Sequence, residues 1–309
     1  MADQQIGVLL MAYGAAGSLE EVEPYLADIR AGRPPSPELV EEVKHRYQLM
    51  GGRSPLLDIT QQQAAALETR LNKDSDGKSF KIYIGMRHWH PYIKDTVATM
   101  AKDGIQKMVA LCLTPYYSRM SVGAYFKKLE EAQAALKTQF DVIRVESWND
   151  HPLLVEAIAQ KVQKALHGFE ESVRKQVSIL FSAHSLPSRI LEEKDPYPQE
   201  LNETIEWVMK KVGPYRWWFA YQSQGRTPEP WLGPDAGEVI KQLHQEGHRH
   251  LLMAPIGFIS DHMETLYDVD IMYRKQAEAL GMKLQRAESL NASPTFIEAM
   301  ASVVHAHLS

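Results

Sequence analysis

The chain reads as two α/β domains, each carrying a parallel sheet, on three grounds. Short apolar runs alternate with amphipathic helical stretches along nearly the whole sequence, the rhythm of strands joined by crossover helices. At 309 residues the chain is long for one core, and two domains of about 150 residues are the natural division. Finally, Ile6-Gly-Val-Leu-Leu-Met-Ala-Tyr13-Gly14 lies without a gap on Val177-Ser-Ile-Leu-Phe-Ser-Ala-His184-Ser185, setting Tyr13 on His184. The expected division is 1–150 and 151–289, with a closing helix at about 290–309 packing back on the first domain.

In the first half, apolar 6–12 is a buried strand. Ser18-Leu-Glu-Glu has the form of a capping box opening a helix towards Arg30. Arg30-Ala-Gly-Arg33-Pro-Pro-Ser-Pro breaks it, helix resumes over 38–50, and Gly51-Gly-Arg-Ser54-Pro55 turns the chain into helix 60–72. Strand 80–88 ends at His90-Pro91, and helix 92–103 stops at Gly104. Strand 107–114, a helix to about Leu136 and strand 141–148 complete a βα alternation of four strands.

The second half echoes the first. Helix 152–168 has no partner strand and is expected to bridge the domains. Val177 to Phe181 is too short for a helix and is followed by Pro187, so strand 176–182 places His184 just beyond it. Helix 198–212, strand 216–222, helix 236–246 and strand 250–258 follow. Ser260-Asp261 is expected to cap one helix through Leu280, before a short strand at 283–287 and the closing helix from Ser293 to His307.

Composition narrows the function. Hydrophobic residues at 44% and charged ones at 24% are ordinary for a soluble protein. The net charge of −5 offers no general attraction to nucleic acid or to an anionic membrane. No apolar run reaches the roughly 18 residues of a spanning helix, and the N-terminus has no secretory pattern. The one cysteine, Cys112, excludes an internal disulfide and cannot alone hold an iron–sulfur cluster. A cytoplasmic enzyme or binding protein fits.

Open α/β sheets bind ligands at the carboxyl edge, where His184 stands. Glu264 and Asp268 are four apart on the helix after a later strand of the same sheet, with Asp261 on the same stripe. Like charges so spaced repel, and a divalent cation would offset them; equally, Asp261 caps the helix and the others face water. His184 alone reads equally as a buried histidine bonded to a carbonyl. Paired with Glu264 it suits Fe(II) or another borderline divalent ion with open positions, and the pair is too sparse for structural zinc. Arg30, Arg33, Arg46, Arg53 and Ser54 could rim an anion site, although Glu38, Glu41 and Glu42 interleave as on a solvated surface. Gly14-Ala-Ala-Gly17 lacks the G-x-G-x-x-G spacing.

Several stretches match one family in order. They are Met11-Ala-Tyr13-Gly14, Gly51-Gly-Arg-Ser54-Pro55-Leu, Tyr83-Ile-Gly-Met-Arg-His88, Ser182-Ala-His184-Ser-Leu-Pro187, Gln222-Ser-Gln-Gly-Arg-Thr-Pro, Trp231-Leu-Gly-Pro-Asp235 and Pro255-Ile-Gly-Phe-Ile-Ser-Asp-His262-Met-Glu264-Thr-Leu-Tyr-Asp268. The chain resembles the ferrochelatases, most closely the monomeric, cluster-free coproporphyrin III ferrochelatases of Gram-positive type.

The resemblance implies two Rossmann-like, chelatase-type domains with parallel four-stranded sheets and a porphyrin cleft between them. It implies that His184 and Glu264 are the inner iron and proton-handling pair and that Tyr13 faces the other side of the ring as axial ligand. Arg30, Arg46 with Tyr47, Ser54 and Tyr125 would hold propionates. It implies Fe(II) and coproporphyrin III as substrates, no resident cofactor, and transient contact with a downstream haem-pathway enzyme. Arg87 stands where relatives often carry Lys. Met272 stands where some carry a Glu of an outer metal site, although His88 and Asp268 remain. The polar segment from Arg30 to Gly52 favours the four carboxylates of coproporphyrin over the two of protoporphyrin IX. Other readings are a cobalt or nickel chelatase and, from a different class, a non-catalytic two-domain solute-binding protein.

Overall fold

A computed structural model of the chain describes residues 5–73 and 77–308. The chain forms two compact units, one of Met1–His151 with Asn291–Ser309 and one of Pro152–Leu290.

In the first unit, Gln5–Ala12 (β1) is buried from Ile6 onward, as its unbroken apolar run requires of a strand covered on both faces. The helices Val22–Ile29 (α1), Pro37–Leu49 (α2) and Leu56–Lys73 (α3) lead to Ser79–Met86 (β2). Ile93–Lys102 (α4), Lys107–Cys112 (β3), Val122–Leu136 (α5) and Asp141–Val145 (β4) follow. The sheet is parallel throughout, in the order β2-β1-β3-β4. Leu9, Met11, Met108 and Ala110 from the central strands pack with Val97, Met100, Phe126 and Leu129 from α4 and α5. Each such large apolar side chain contributes about 1.5–3 kcal/mol on burial.

The expected capping box at Ser18 is not formed. α1 starts at Val22 because Glu21 is drawn backwards: its Oε2 accepts from the Gly17 N–H (2.7 Å) and from the Trp89 indole N–H (2.9 Å). α2 is capped by Ser36, whose Oγ accepts from the Leu39 N–H at 3.3 Å, with Pro37 preset for the first turn.

The second unit begins with Pro152–His167 (α6), the helix expected to bridge the domains. It packs within this unit, against Tyr197–Val212 (α8), which follows the short Glu171–Arg174 (α7) and Ser178–His184 (β5). Trp217–Gln222 (β6), Ala236–Gln245 (α9), capped by Asp235, and His250–Ala254 (β7) come next. The helix expected from Ser260 to Leu280 is three pieces: Met263–Leu266 (α10), a π-helical stretch Asp268–Tyr273, and Arg274–Ala279 (α11). Lys283–Arg286 (β8) completes a parallel sheet of order β6-β5-β7-β8.

This order repeats that of the first sheet strand for strand, with β5 in the place of β1. In both, the chain leaves the first strand to one side and returns to the other, so the switch point of the topology lies at the carboxyl ends of β1 and β3, and of β5 and β7. The last helix, Pro294–Ala306 (α12), packs on α3 of the first unit, tied by Arg70 to Glu298 (2.6 Å) and by the Gln63 amide to the Asn291 carbonyl (2.9 Å). Among the described residues no helix is long and apolar enough to cross a membrane.

Candidate active site

His184 is the last residue of β5, which ends two positions later than the expected strand, and its backbone lies in register with Gln222 of β6. Beyond β7 the chain runs Pro255-Ile-Gly257, and the Gly257 N–H donates to the Ser182 carbonyl of β5 (3.1 Å). A Cβ at position 257 would stand 2.6 Å from Ala183 Cβ, so only glycine lets this loop cross the tip of β5. The crossing delivers the start of α10 to the end of β5. There Glu264 Oε2 lies 2.9 Å from His184 Nδ1. Eighty positions apart in sequence, the two side chains meet at the switch point of the second sheet.

The pair is partly open to solvent, with His184 34% and Glu264 25% exposed. Burial disfavours the charged form of each, and mutual attraction outweighs it: His184 is held above the ordinary histidine value and Glu264 below the ordinary carboxylate value. The carboxylate can only accept, so Nδ1–H donates to it, and in the neutral imidazole Nε2 carries the free lone pair. His262 behaves differently. Its Nδ1–H donates to the Ser260 carbonyl (3.0 Å), Nε2 stands 4.0 Å from Glu264, and burial pushes its pKa down. The Phe258 ring packs against both histidines, at 4.8 Å from His262 and 6.5 Å from His184 between centroids.

Buried polar groups hold this arrangement. The Gln222 amide donates to the Glu264 carbonyl (2.8 Å), and its oxygen accepts from Ser182 Oγ (2.7 Å). The Tyr197 hydroxyl donates to the His184 carbonyl (2.9 Å), and Ser223 Oγ donates to Asp268 (2.5 Å). These contacts depend on the pairing of separate strands and leave no local signal in the sequence; only the buried register of Gln222 beside His184 would have pointed to it.

The expected acidic stripe holds together only in part. Glu264 and buried Asp268 share Ser223, and the charge of Asp268 acts on His184, whereas Asp261 does not cap a helix. Its Oδ1 instead accepts from Arg286 (2.9 Å) and Ser289 (2.7 Å), because the helix begins only at Met263 with His262 before it. Met272 is exposed on the π-helical stretch. Among the described residues no group of three or more His, Cys, Asp and Glu side chains is arranged to hold a metal ion.

In the first unit Tyr13, the residue after β1, is 42% exposed. Its ring lies 4.7 Å from that of His88, and the Arg87 guanidinium stands 6.0 Å from its centroid and 5.7 Å from that of Tyr125. Arg87 thus joins two expected site residues, by contacts that a sequence pattern does not reveal. His88 pairs with Asp28 (2.8 Å), and burial lowers its pKa.

The expected anion-binding residues divide. Arg30 is exposed at the end of α1, and Arg46 lies half-buried on α2, bonded to Glu42 (2.6 Å). Tyr47, 1% exposed, is a core residue, because α2 turns Val40, Val43 and Tyr47 inward on one stripe. Burial pushes its hydroxyl up to about 12. Tyr125 is likewise buried, its hydroxyl held protonated by the same cause. Both side chains are enclosed. Ser54 is also buried; its Oγ accepts from the Leu56 N–H (3.3 Å) at the start of α3.

Comparison with known proteins gives a coherent result. The family model described as Ferrochelatase matches residues 5–308. A ferrochelatase of Deinococcus radiodurans is 42% identical over 301 residues, covering 97% of this chain and 95% of that protein. The coproporphyrin III ferrochelatase of Bacillus subtilis (strain 168) is 40% identical over 305 residues, covering 98% of each. Among solved structures, SirB from Bacillus subtilis with Fe3+ superposes with a TM-score of 0.61 at 11% identity, covering 98% of this chain and 95% of that one. CbiX, the terminal enzyme for siroheme biosynthesis in denitrifying bacteria, gives 0.53 at 10%, covering 99% and 100%. These last two likenesses show the chelatase fold alone.

Proposed function

Because this chain belongs to the ferrochelatase family, we propose that it inserts Fe(II) into coproporphyrin III, giving iron coproporphyrin and two protons as a step of haem biosynthesis. The observation that carries this reading is the hydrogen-bonded pair of His184 and Glu264 at the carboxyl edge of the second sheet. Insertion exchanges two pyrrole N–H protons for one metal ion. Glu264 holds the Nδ1 proton of His184, which leaves Nε2 as the general base for the first proton. The imidazolium so formed is stabilised by the adjacent carboxylate, and Glu264 passes the second proton towards solvent or ligates the incoming ion. An imidazole and a carboxylate suit Fe(II) as a substrate that arrives and leaves, the rest of its shell coming from water and then from the ring.

Pyrrole nitrogens of a flat ring point inward, so the ring must bend before metal enters. Strain of about 1–5 kcal/mol can be offset by contacts with remote carboxylates. We assign those contacts to Arg30, Arg46 with Tyr47, Ser54 and Tyr125, with Tyr13 as the axial ligand of the product. Full-length relatives named coproporphyrin III ferrochelatase favour the four-carboxylate ring. The reading includes no resident cofactor and no cluster, Cys112 being a buried thiol pushed above its ordinary value by desolvation.

The test is anaerobic turnover of Fe(II) with coproporphyrin III and with protoporphyrin IX, and of Co(II) and Ni(II) with each. Faster turnover of coproporphyrin III with Fe(II) is expected. Equal or faster turnover of protoporphyrin IX would reassign the substrate, and no turnover of either would reject the insertion chemistry.

A further inference from the structure

Arg286, the last residue of β8, takes no part in the chemistry above, yet its partners bracket Glu264 in sequence. Its Nη1 donates to Asp261 Oδ1 (2.9 Å), three positions before Glu264. Its Nε and Nη2 form a two-pronged bond to Asp270 (3.0 and 2.9 Å), six positions after it. Ser289 Oγ adds a bond to Asp261 (2.7 Å), and Arg274 one to Asp270 (3.1 Å). The Arg286 side chain is only 10% exposed, and despite burial its two carboxylate partners raise its pKa further, so it stays charged. One rigid fork therefore fastens both ends of the segment that carries Glu264 to a strand of the sheet.

The segment needs fastening. α10 is four residues long and runs through a π-helical stretch into α11, so its own hydrogen-bond ladder cannot fix the direction of Glu264. We infer that Arg286 is a positioning residue for metal insertion, holding Glu264 at hydrogen-bond distance from His184 through Asp261 and Asp270. A flat five-donor fork bonds two carboxylates at once, as a lysine ammonium at the same site cannot do with the same geometry.

This inference rests on the assignment of His184 and Glu264 as the insertion pair, and the test separates the two. Wild type, Arg286→Lys and Arg286→Met are assayed for insertion of Fe(II) into coproporphyrin III, and porphyrin affinity is measured by fluorescence. In Arg286→Lys we expect kcat per folded enzyme to fall about tenfold with porphyrin affinity within twofold; in Arg286→Met the fall is about a hundredfold, the cost of a displacement near 1 Å at a reacting group. A loss of folding alone would lower the active fraction and leave kcat per folded molecule unchanged. If Arg286→Met does not fold, Arg286→Lys decides. Crystal structures of the variants supply a readout independent of turnover, with the His184–Glu264 contact expected to open. Wild-type kcat in a folded Arg286→Lys, or an intact contact in its crystal structure, overturns the inference while leaving the insertion reading in place. A wild-type protein with no insertion activity overturns both.

Discussion

Replacing Gly257 with alanine tests how tightly the second sheet's geometry is tied to chemistry. The new Cβ would lie 2.6 Å from Ala183 Cβ and 2.7 Å from its Cα. Carbon atoms in contact settle at about 3.5–4.0 Å, so a displacement of roughly 1 Å is demanded. Ala183 is fully buried in β5, which is paired to a strand on each side, and cannot yield. The loop after β7 must therefore lift, weakening the Gly257 N–H bond to Ser182 and carrying α10 with it. Overpacking of this kind costs about 1–3 kcal/mol, or about 2–4 °C in Tm per kcal/mol for a chain of this order. The same shift moves Glu264 away from His184, and about 1 Å at a reacting group is worth on the order of a hundredfold in rate. We expect Gly257→Ala to lower kcat for iron insertion ten- to a hundredfold, to lower Tm by several degrees and to leave coproporphyrin affinity within twofold. Initial rates, thermal unfolding and fluorescence titration measure the three. Wild-type kcat at an unchanged Tm would refute the reasoning, since the loop would then have room that the geometry denies it.

Other perturbations follow from the same site. His184→Ala should abolish insertion while porphyrin affinity stays within a few-fold; parallel loss of both would count against His184 as the base. Arg46→Ala removes a charged contact worth about 1.5–3 kcal/mol and should weaken porphyrin binding roughly ten- to a hundredfold before it alters kcat. The His184–Glu264 pair also makes stability depend on pH. His184 is raised, so its contribution is complete below the ordinary histidine value and fades as pH rises through its folded value; Glu264 is lowered, so its contribution is complete above the ordinary carboxylate value and fades as pH falls through its folded value. The urea midpoint of wild type relative to Glu264→Gln should therefore be greatest between the ordinary carboxylate and ordinary histidine values, and the two proteins should converge beyond the two folded values. A pH-independent difference would dissociate the pair from stability.

Much of this molecule could be read before any coordinates. The unbroken apolar runs of β1 and β5 marked strands buried on both faces. Gly104 and Gly247, at φ of +77° and +91°, ended α4 and α9 where expected. Where reading failed, a distant partner was responsible. Ser18 has the residues of a capping box, but Glu21 is taken by the Trp89 indole from 68 positions away. The acidic run from Asp261 to Asp268 has the spacing of a single helical face, yet Arg286 draws Asp261 out of it.

Local pattern sufficed for the alternation of strands and helices and for the placing of His184 at a strand tip, since apolar periodicity and turn residues act over a few positions. The meeting of Glu264 with His184 depends on longer-range facts: β7 lying beside β5, a glycine crossing at Ala183, and a guanidinium gripping the chain on both sides of the carboxylate. Those are matters of which surfaces pack together, and close packing is a property of residues far apart in the chain.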